Sequence, residues 1–193
     1  KPKFPVNKLP GFKKGFFQVQ DSGAQFVTTL LDPRPDDNIT DACAGFGGKT
    51  GYIAQLTRGK AKITAADSNK TKLEALKEEM LRLGFSSSVK TAVIDLTKDS
   101  KKIQTGFFDK ILVDAPCSGL RVLRRNPDTK WNRTVKDIHE CAKTQKTILK
   151  NTASLLKKGG LLLYCVCSFE PEETTDVVNE FLELNKEFKR ADL

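Results

Sequence analysis

Two short segments carry the side chains best suited to chemistry: Asp114-Ala-Pro-Cys117-Ser-Gly119 and Cys165-Val-Cys167-Ser168. Each sets a cysteine just past an apolar run that reads as a buried β-strand, and in α/β proteins catalytic groups gather at the carboxyl ends of strands. Thiol chemistry is the implied activity. The thiolate is the reactive form, so an ordinary cysteine pKa of about 8.5 must fall beside a cation or a helix N-terminus. Lys49 is a candidate neighbour. The other three cysteines, Cys43, Cys141 and Cys165, read as small packing residues. Zinc is not expected, because Cys165-x-Cys167 has the wrong spacing for a structural site and the one histidine, His139, sits in helical surroundings.

A glycine-rich turn, Asp41-Ala-Cys43-Ala44-Gly45-Phe46-Gly47-Gly48-Lys49-Thr50, follows the first expected strand and opens a helix. Glycines there let backbone approach a ligand while helix N–H groups face it. A P-loop needs glycine where Cys43 stands, and a dinucleotide fingerprint needs it where Thr50 stands. Both templates miss by one position, which argues against nucleoside triphosphates and nicotinamide. Asp67, Asp95 and Asp114 end the second, third and fourth expected strands. Asp67 has the spacing from the glycines at which an acid accepts hydrogen bonds from ribose hydroxyls. Together these acids and the turn form an adenosine-type pocket that S-adenosylmethionine fits, since it needs no phosphate cradle.

A methyl donor beside two cysteines points to carbon-5 of cytosine as acceptor. Thiolate addition at carbon-6 breaks the ring conjugation and leaves an enamine able to take a methyl group at carbon-5. Asp114 could bond the cytosine amino group or a protonated ring nitrogen. Residue chemistry leaves open which cysteine attacks and which clears the product.

The elements that must position these groups alternate along the chain. Helices are expected over 21–31, 49–56, 69–83, 134–156 and 172–185, and strands over 39–43, 62–66, 89–94, 108–113 and 161–165. In the helix expected over 69–83, Leu73, Leu76, Met80 and Leu83 share one face and Gly84 closes it. Gly159-Gly160 is read as the end of the long helix, and Pro171 with the following acids as the first turn of the last one. This alternation specifies an α/β fold: a doubly wound, mostly parallel sheet with helices on both faces, Rossmann-like. Residues 1–32 are expected to form an arm and short helix packing on the core, and 33–193 the catalytic domain.

Thirty-three Lys and Arg against 24 Asp and Glu give a net charge of +9 over 193 residues, a balance that favours polyanionic partners. No apolar run approaches a membrane span, so no membrane partner is expected. An odd cysteine count favours a reducing compartment, the cytoplasm, or the nucleolus in a eukaryote. A start at Lys1 rather than Met leads us to expect a fragment with further RNA-binding domains outside it.

The glycine-turn, Pro-Cys and Cys-Ser segments together resemble the Sun/Fmu-type RNA cytosine-5 methyltransferases. The likeness runs from Gly15-Phe-Phe17-Gln-Val19-Gln20-Asp21 in the arm to Cys167-Ser168-Phe-Glu-Pro171-Glu-Glu173. It implies the Rossmann-like fold of S-adenosylmethionine-dependent methyltransferases, with Cys167 as nucleophile and Cys117 assisting release of the methylated base. It also implies cofactor contacts from Cys43, Ala44, Gly45, Phe46, Gly47, Gly48 and Lys49, and from Asp67, Asp95 and Asp114, with RNA, and rRNA in particular, as substrate. Three departures stand out: Gly45-Phe46 replaces the family's usual Ala-Pro, Val166 replaces the threonine before the nucleophile, and the strand pair that closes the family's sheet is missing at the C-terminus.

After the Pro-Cys turn, Arg121, Arg124, Arg125 and Lys130 can neutralise phosphates, and Trp131 can either stack on a base or pack into the core. A thiol reaches carbon-6 only in an unstacked cytosine, so single-stranded or loop RNA is expected. Two other functions are compatible with these residues: an RNA-binding or ribosome-assembly factor without turnover, and a DNA cytosine methyltransferase, which would attack with the Pro-Cys cysteine.

Overall fold

A computed structural model describes residues 5–98, 105–123 and 126–192. Strands β1 (Asn38–Asp41), β2 (Lys62–Asp67), β3 (Val89–Val93), β4 (Phe108–Asp114) and β5 (Leu156–Cys165) pair in parallel in the order β3-β2-β1-β4-β5. Helices α1 (Ser22–Leu30), α2 (Gly48–Leu56), α3 (Lys70–Leu83), α4 (Val135–Ala153) and α5 (Thr175–Leu184) cover the sheet. This is the expected doubly wound, Rossmann-like fold. The strand order reverses between β1 and β4, which opens a crevice at their carboxyl ends.

Side-chain alternation along the central strands explains why both faces need helices. Ile111 and Val113 of β4 join Ile148 and Leu149 of α4 and Val177 of α5 in one core cluster. Leu112, between them, joins Ile39 of β1 and Ile53 and Ala54 of α2 on the opposite face. A strand apolar on both faces is stable only when sandwiched. Leu73, Leu76 and Met80 of α3 are buried as their spacing predicts, each worth roughly 2 kcal/mol of transfer free energy. Asn69 caps that helix by accepting from Lys72 N, and Gly84 ends it at a left-handed φ of 81°. Arg82 of α3 ties the arm down, donating to the carbonyls of Phe12 and Phe17 with its guanidinium 3.9 Å from the Phe12 ring centre.

Two boundaries differ from the sequence reading. α4 stops at Ala153, and Gly159-Gly160 lies inside β5, where the register against β4 slips between Phe108 and Lys110. Gly159 adopts φ 80°, and a Cβ on Gly160 would sit 2.7 Å from the Asp109 carbonyl oxygen. The pair therefore serves a bulge and a close backbone approach rather than a helix cap. The expected helix 172–185 is split into a single 3-10 turn, Pro171–Glu173, and α5. The split turns Glu173 inward, where Ser118 and Gln145 hold its carboxylate.

Candidate active site

The crevice has two halves. On the side of β1, β2 and β3, the chain leaves β1 through Gly45 and Gly47, both left-handed with φ of 54° and 86°. A Cβ on Gly47 would meet Leu76 Cγ at 2.6 Å, so the turn can lie this close to α3 only with glycine there. Asp67, at the end of β2, accepts from Gly45 N at 2.9 Å with one oxygen and from Asn69 N at 2.8 Å with the other. A cleft of about 250 Å3 opens here, and Cys43, Gly45, Asp67, Asp95 and Asp114 line it. Hydrogen bonds from the Thr97 hydroxyl and N–H hold the Asp95 carboxyl below the usual carboxylate range.

Ile94, Leu96 and Ile148, which the sequence did not mark, give the cleft apolar walls, and Lys72, which reads from sequence as a solvated surface lysine, is half-buried and adds a cation. Ala44 packs with Leu73 and Leu76 in the core. Phe46 stands 66% exposed at the tip of the turn, with Lys72 Nζ 6.0 Å from its ring centre. Gly48 begins α2 and its carbonyl accepts from Gln18 of the arm.

Lys49, on α2, bonds and ion-pairs with Asp114. Burial opposes its charge, but the carboxylate beside it prevails and raises its pKa. Beneath both halves lies Asp41, which accepts from Thr50 Oγ1 at 2.7 Å and, among the described residues, has no partner at its second oxygen. Burial pushes its carboxyl up to about 6. The sequence offered no sign of this beyond its place at the head of the glycine segment.

On the other side, the register of β4 and β5 sets Asp114 opposite Cys165, and Ala115 N donates to the Cys165 carbonyl. Three residues past the end of β4 and two past the end of β5, the sulfurs of Cys117 and Cys167 face one another at 2.8 Å. Cys167 N donates to Cys117 Sγ at 3.2 Å. Arg121 N bonds the Cys167 carbonyl at 3.0 Å.

The two thiols are pushed in opposite directions. A hydrogen bond from Cys117 brings Cys167 down to about 7, with burial and Asp114 opposing and Lys49 contributing less. The same bond, with burial, drives Cys117 far up. The opposed shifts make Cys167 the more acidic thiol of the pair and Cys117 the less acidic one. Lys49 lowers the Cys167 pKa as its charge suggests, but the second cysteine is the larger cause. Burial pushes Cys43 up to about 12 and also raises Cys141 and Cys165, so these remain thiols.

Around this corner the surface is basic and aromatic. Arg121 and Lys130 are exposed, and Trp131 is 79% exposed with Lys130 Nζ 5.2 Å from its ring centre. Its exposure removes the core-packing alternative. Phe169, two residues past Cys167 and 62% exposed, was not singled out from sequence. Arg124 and Arg125 lie outside the described residues. Among the described residues no group of His, Cys, Asp and Glu could hold a metal ion, and no helix is long and apolar enough to cross a membrane.

A family model described as 16S rRNA methyltransferase RsmB/F matches residues 28–193, which include the glycine turn, the strand-terminal acids and both cysteines. The chain belongs to the RsmB/F methyltransferase family. Among curated RsmB-type relatives it is 42% identical over 178 residues to ribosomal RNA small subunit methyltransferase B of Enterobacter sp., covering 92% of this chain and 41% of that protein. It is 38% identical over 184 residues to "Probable ribosomal RNA small subunit methyltransferase B" of Synechocystis sp., covering 95% and 41%. Among solved structures, NSun6 from Pyrococcus horikoshii, determined with SFG, matches with a TM-score of 0.84 and 34% identity over 94% of this chain and 46% of that one. The chain therefore spans about two-fifths of the length of the curated relatives it matches.

The cleft of this RsmB/F chain fits S-adenosylmethionine on its own chemistry. Apolar walls suit a purine, Asp67 and Asp95 offer acceptors for ribose hydroxyls, and the Gly45–Gly47 turn leaves backbone exposed for the amino-acid end.

Proposed function

We propose that this chain is the methyl-transfer unit of a 16S rRNA cytosine-5 methyltransferase, with Cys167 as the nucleophile. The observation that carries this reading is the sulfur pair at the lip of the cofactor cleft, 2.8 Å apart and oppositely shifted, with Asp114 lining the same cleft. The Cys167 thiolate adds to carbon-6 of an unstacked cytosine, and the ring electrons move towards carbon-5. Asp114, oriented by Lys49, holds the amino group or a protonated ring nitrogen of the base. When bound, S-adenosylmethionine supplies the methyl group that carbon-5 takes. Loss of the carbon-5 proton then breaks the carbon–sulfur bond and returns the thiolate, with Cys117 placed to assist.

Cofactor contacts are assigned to Cys43, Gly45, Asp67, Asp95 and Asp114, with Ala44, Gly47, Gly48 and Lys49 shaping the turn and Phe46 at its tip. RNA contacts are assigned to Arg121, Lys130 and Trp131. A DNA cytosine methyltransferase would attack with the Pro-Cys cysteine, here the less acidic thiol of the pair; the match to the RsmB/F family supports the RNA reading.

The test is transfer of labelled methyl groups by the full-length protein to a 16S rRNA transcript or to DNA of the same sequence. Label should appear in RNA at cytosine carbon-5, with Cys167→Ala lowering the rate by roughly a thousandfold or more. Undiminished transfer by Cys167→Ala would overturn the assignment.

A further inference from the structure

Cys117 has no large side chain to anchor it, yet its sulfur is held within 2.8 Å of Cys167. The backbone on either side of it is what is fixed. Ser118 N donates to Glu173 Oε1 at 2.8 Å, and Ser118 Oγ donates to Glu173 Oε2 at 2.5 Å. Gln145 Nε2, from α4, donates both to Glu173 Oε1 and to the Pro116 carbonyl, each at 2.9 Å. Tyr164 OH, from β5, lies 2.7 Å from the Glu173 carbonyl and 3.0 Å from Gln145 Oε1. Arg133 Nε donates to the Ser118 carbonyl at 2.9 Å. Glu173, Ser118 and Gln145 are fully buried.

A buried carboxylate is costly unless its oxygens are satisfied. Burial opposes the charge on Glu173, but donors from Ser118, Ser168 and Gln145 hold its pKa below the ordinary range. It is therefore an acceptor at both oxygens, aimed at the turn that carries Cys117 and rooted six residues past Cys167. We propose that Glu173 is a positioning residue for the cysteine pair: by accepting from Ser118 N and Oγ it fixes the 116–118 turn so that the Cys117 thiol points at Cys167. This role rests on the reading of Cys167 as nucleophile only for its purpose; the geometry it predicts is measurable without substrate.

The groups facing Cys167 are Cys117 from the turn, Asp114 from β4 and Lys49 from α2. Releasing the turn removes the first of these and leaves the other two in place. The Cys167 thiol should then rise towards its ordinary value while Cys117 falls. Mere deletion of a negative charge has the opposite sign, since it favours a nearby thiolate. At Cys167, direction alone separates the two effects.

The experiment is site-resolved alkylation by iodoacetamide across pH 5.5 to 9.5, read by mass spectrometry without RNA or cofactor. Glu173→Ala is expected to raise the Cys167 midpoint by about one pH unit, a roughly fivefold loss of thiolate at pH 7, and to lower that of Cys117. Ser118→Ala should shift both in the same directions by less, and Glu173→Gln, which keeps an acceptor oxygen, should restore most of the native separation. Melting curves establish that each variant is folded; if Glu173→Ala is not, Ser118→Ala decides. Unmoved or lowered Cys167 midpoints in the folded variants overturn the proposal. Should Cys167→Ala keep full methyl transfer, the functional reading fails while this alkylation result still stands or falls by itself.

Discussion

At the ends of β1 and β2 the crevice is shaped by backbone: two left-handed glycines, a Gly45 N–H held by Asp67, and a helix that begins at Gly48. At the ends of β4 and β5 it is shaped by side chains that arrive from α4, β5 and the 171–173 turn to brace a pair of sulfurs. The first arrangement leaves an open cleft with charged acceptors, suited to holding a ligand. The second buries its polar groups and satisfies them, suited to setting one thiol against another. The cleft is a product of local chain geometry, and the sulfur pair a product of tertiary bonding. Each half should therefore answer to its own substitutions.

The largest effect expected at the seam between the halves comes from Asp41. Its folded carboxyl titrates near 6 instead of 3.8, so its contribution to stability is complete below about pH 4 and is lost as pH rises through 6. The ionised form then costs roughly 3 kcal/mol. Asp41→Asn keeps the oxygen that accepts from Thr50 and should gain up to that amount in urea unfolding at pH 7.5, with the gain vanishing near pH 4. An equal gain at both pH values would show that the charge is not the cause.

A smaller effect tests the division itself. Asp67→Ala removes the acceptor of Gly45 N, which we assign also to the cofactor ribose, and should weaken S-adenosylmethionine binding by about tenfold to a hundredfold in calorimetry. The alkylation midpoint of Cys167 should not move. If it does, the two halves are coupled through the glycine turn and the division is wrong.

The gathering of the glycine turn and the strand-end acids at one cleft was legible in sequence because its signals are local. Glycines after a strand, acids at strand ends and an apolar period of 3.6 each report on a few neighbouring residues. The two cysteines were legible for the same reason, although only the β4–β5 register brings them together. The brace was not. Glu173 reads as a first-turn helix acid, and what turns it inward is bonding to Ser118 and Gln145, 55 and 28 positions away. Gly159-Gly160 likewise fits a helix end until the Asp109 carbonyl is found against it. Lys49 carries the right charge to activate a thiol, but Asp114 claims it.

The central claim is that Cys167 attacks while Cys117 helps the product leave. It is tested most directly by incubating the full-length Cys117→Ala protein with 16S rRNA and S-adenosylmethionine and running the mixture under denaturing conditions. A protein–RNA adduct that survives denaturation, and disappears when Cys167→Ala is added, is the predicted result. Adduct formation by Cys167→Ala with Cys117 intact, and none by Cys117→Ala, would contradict it.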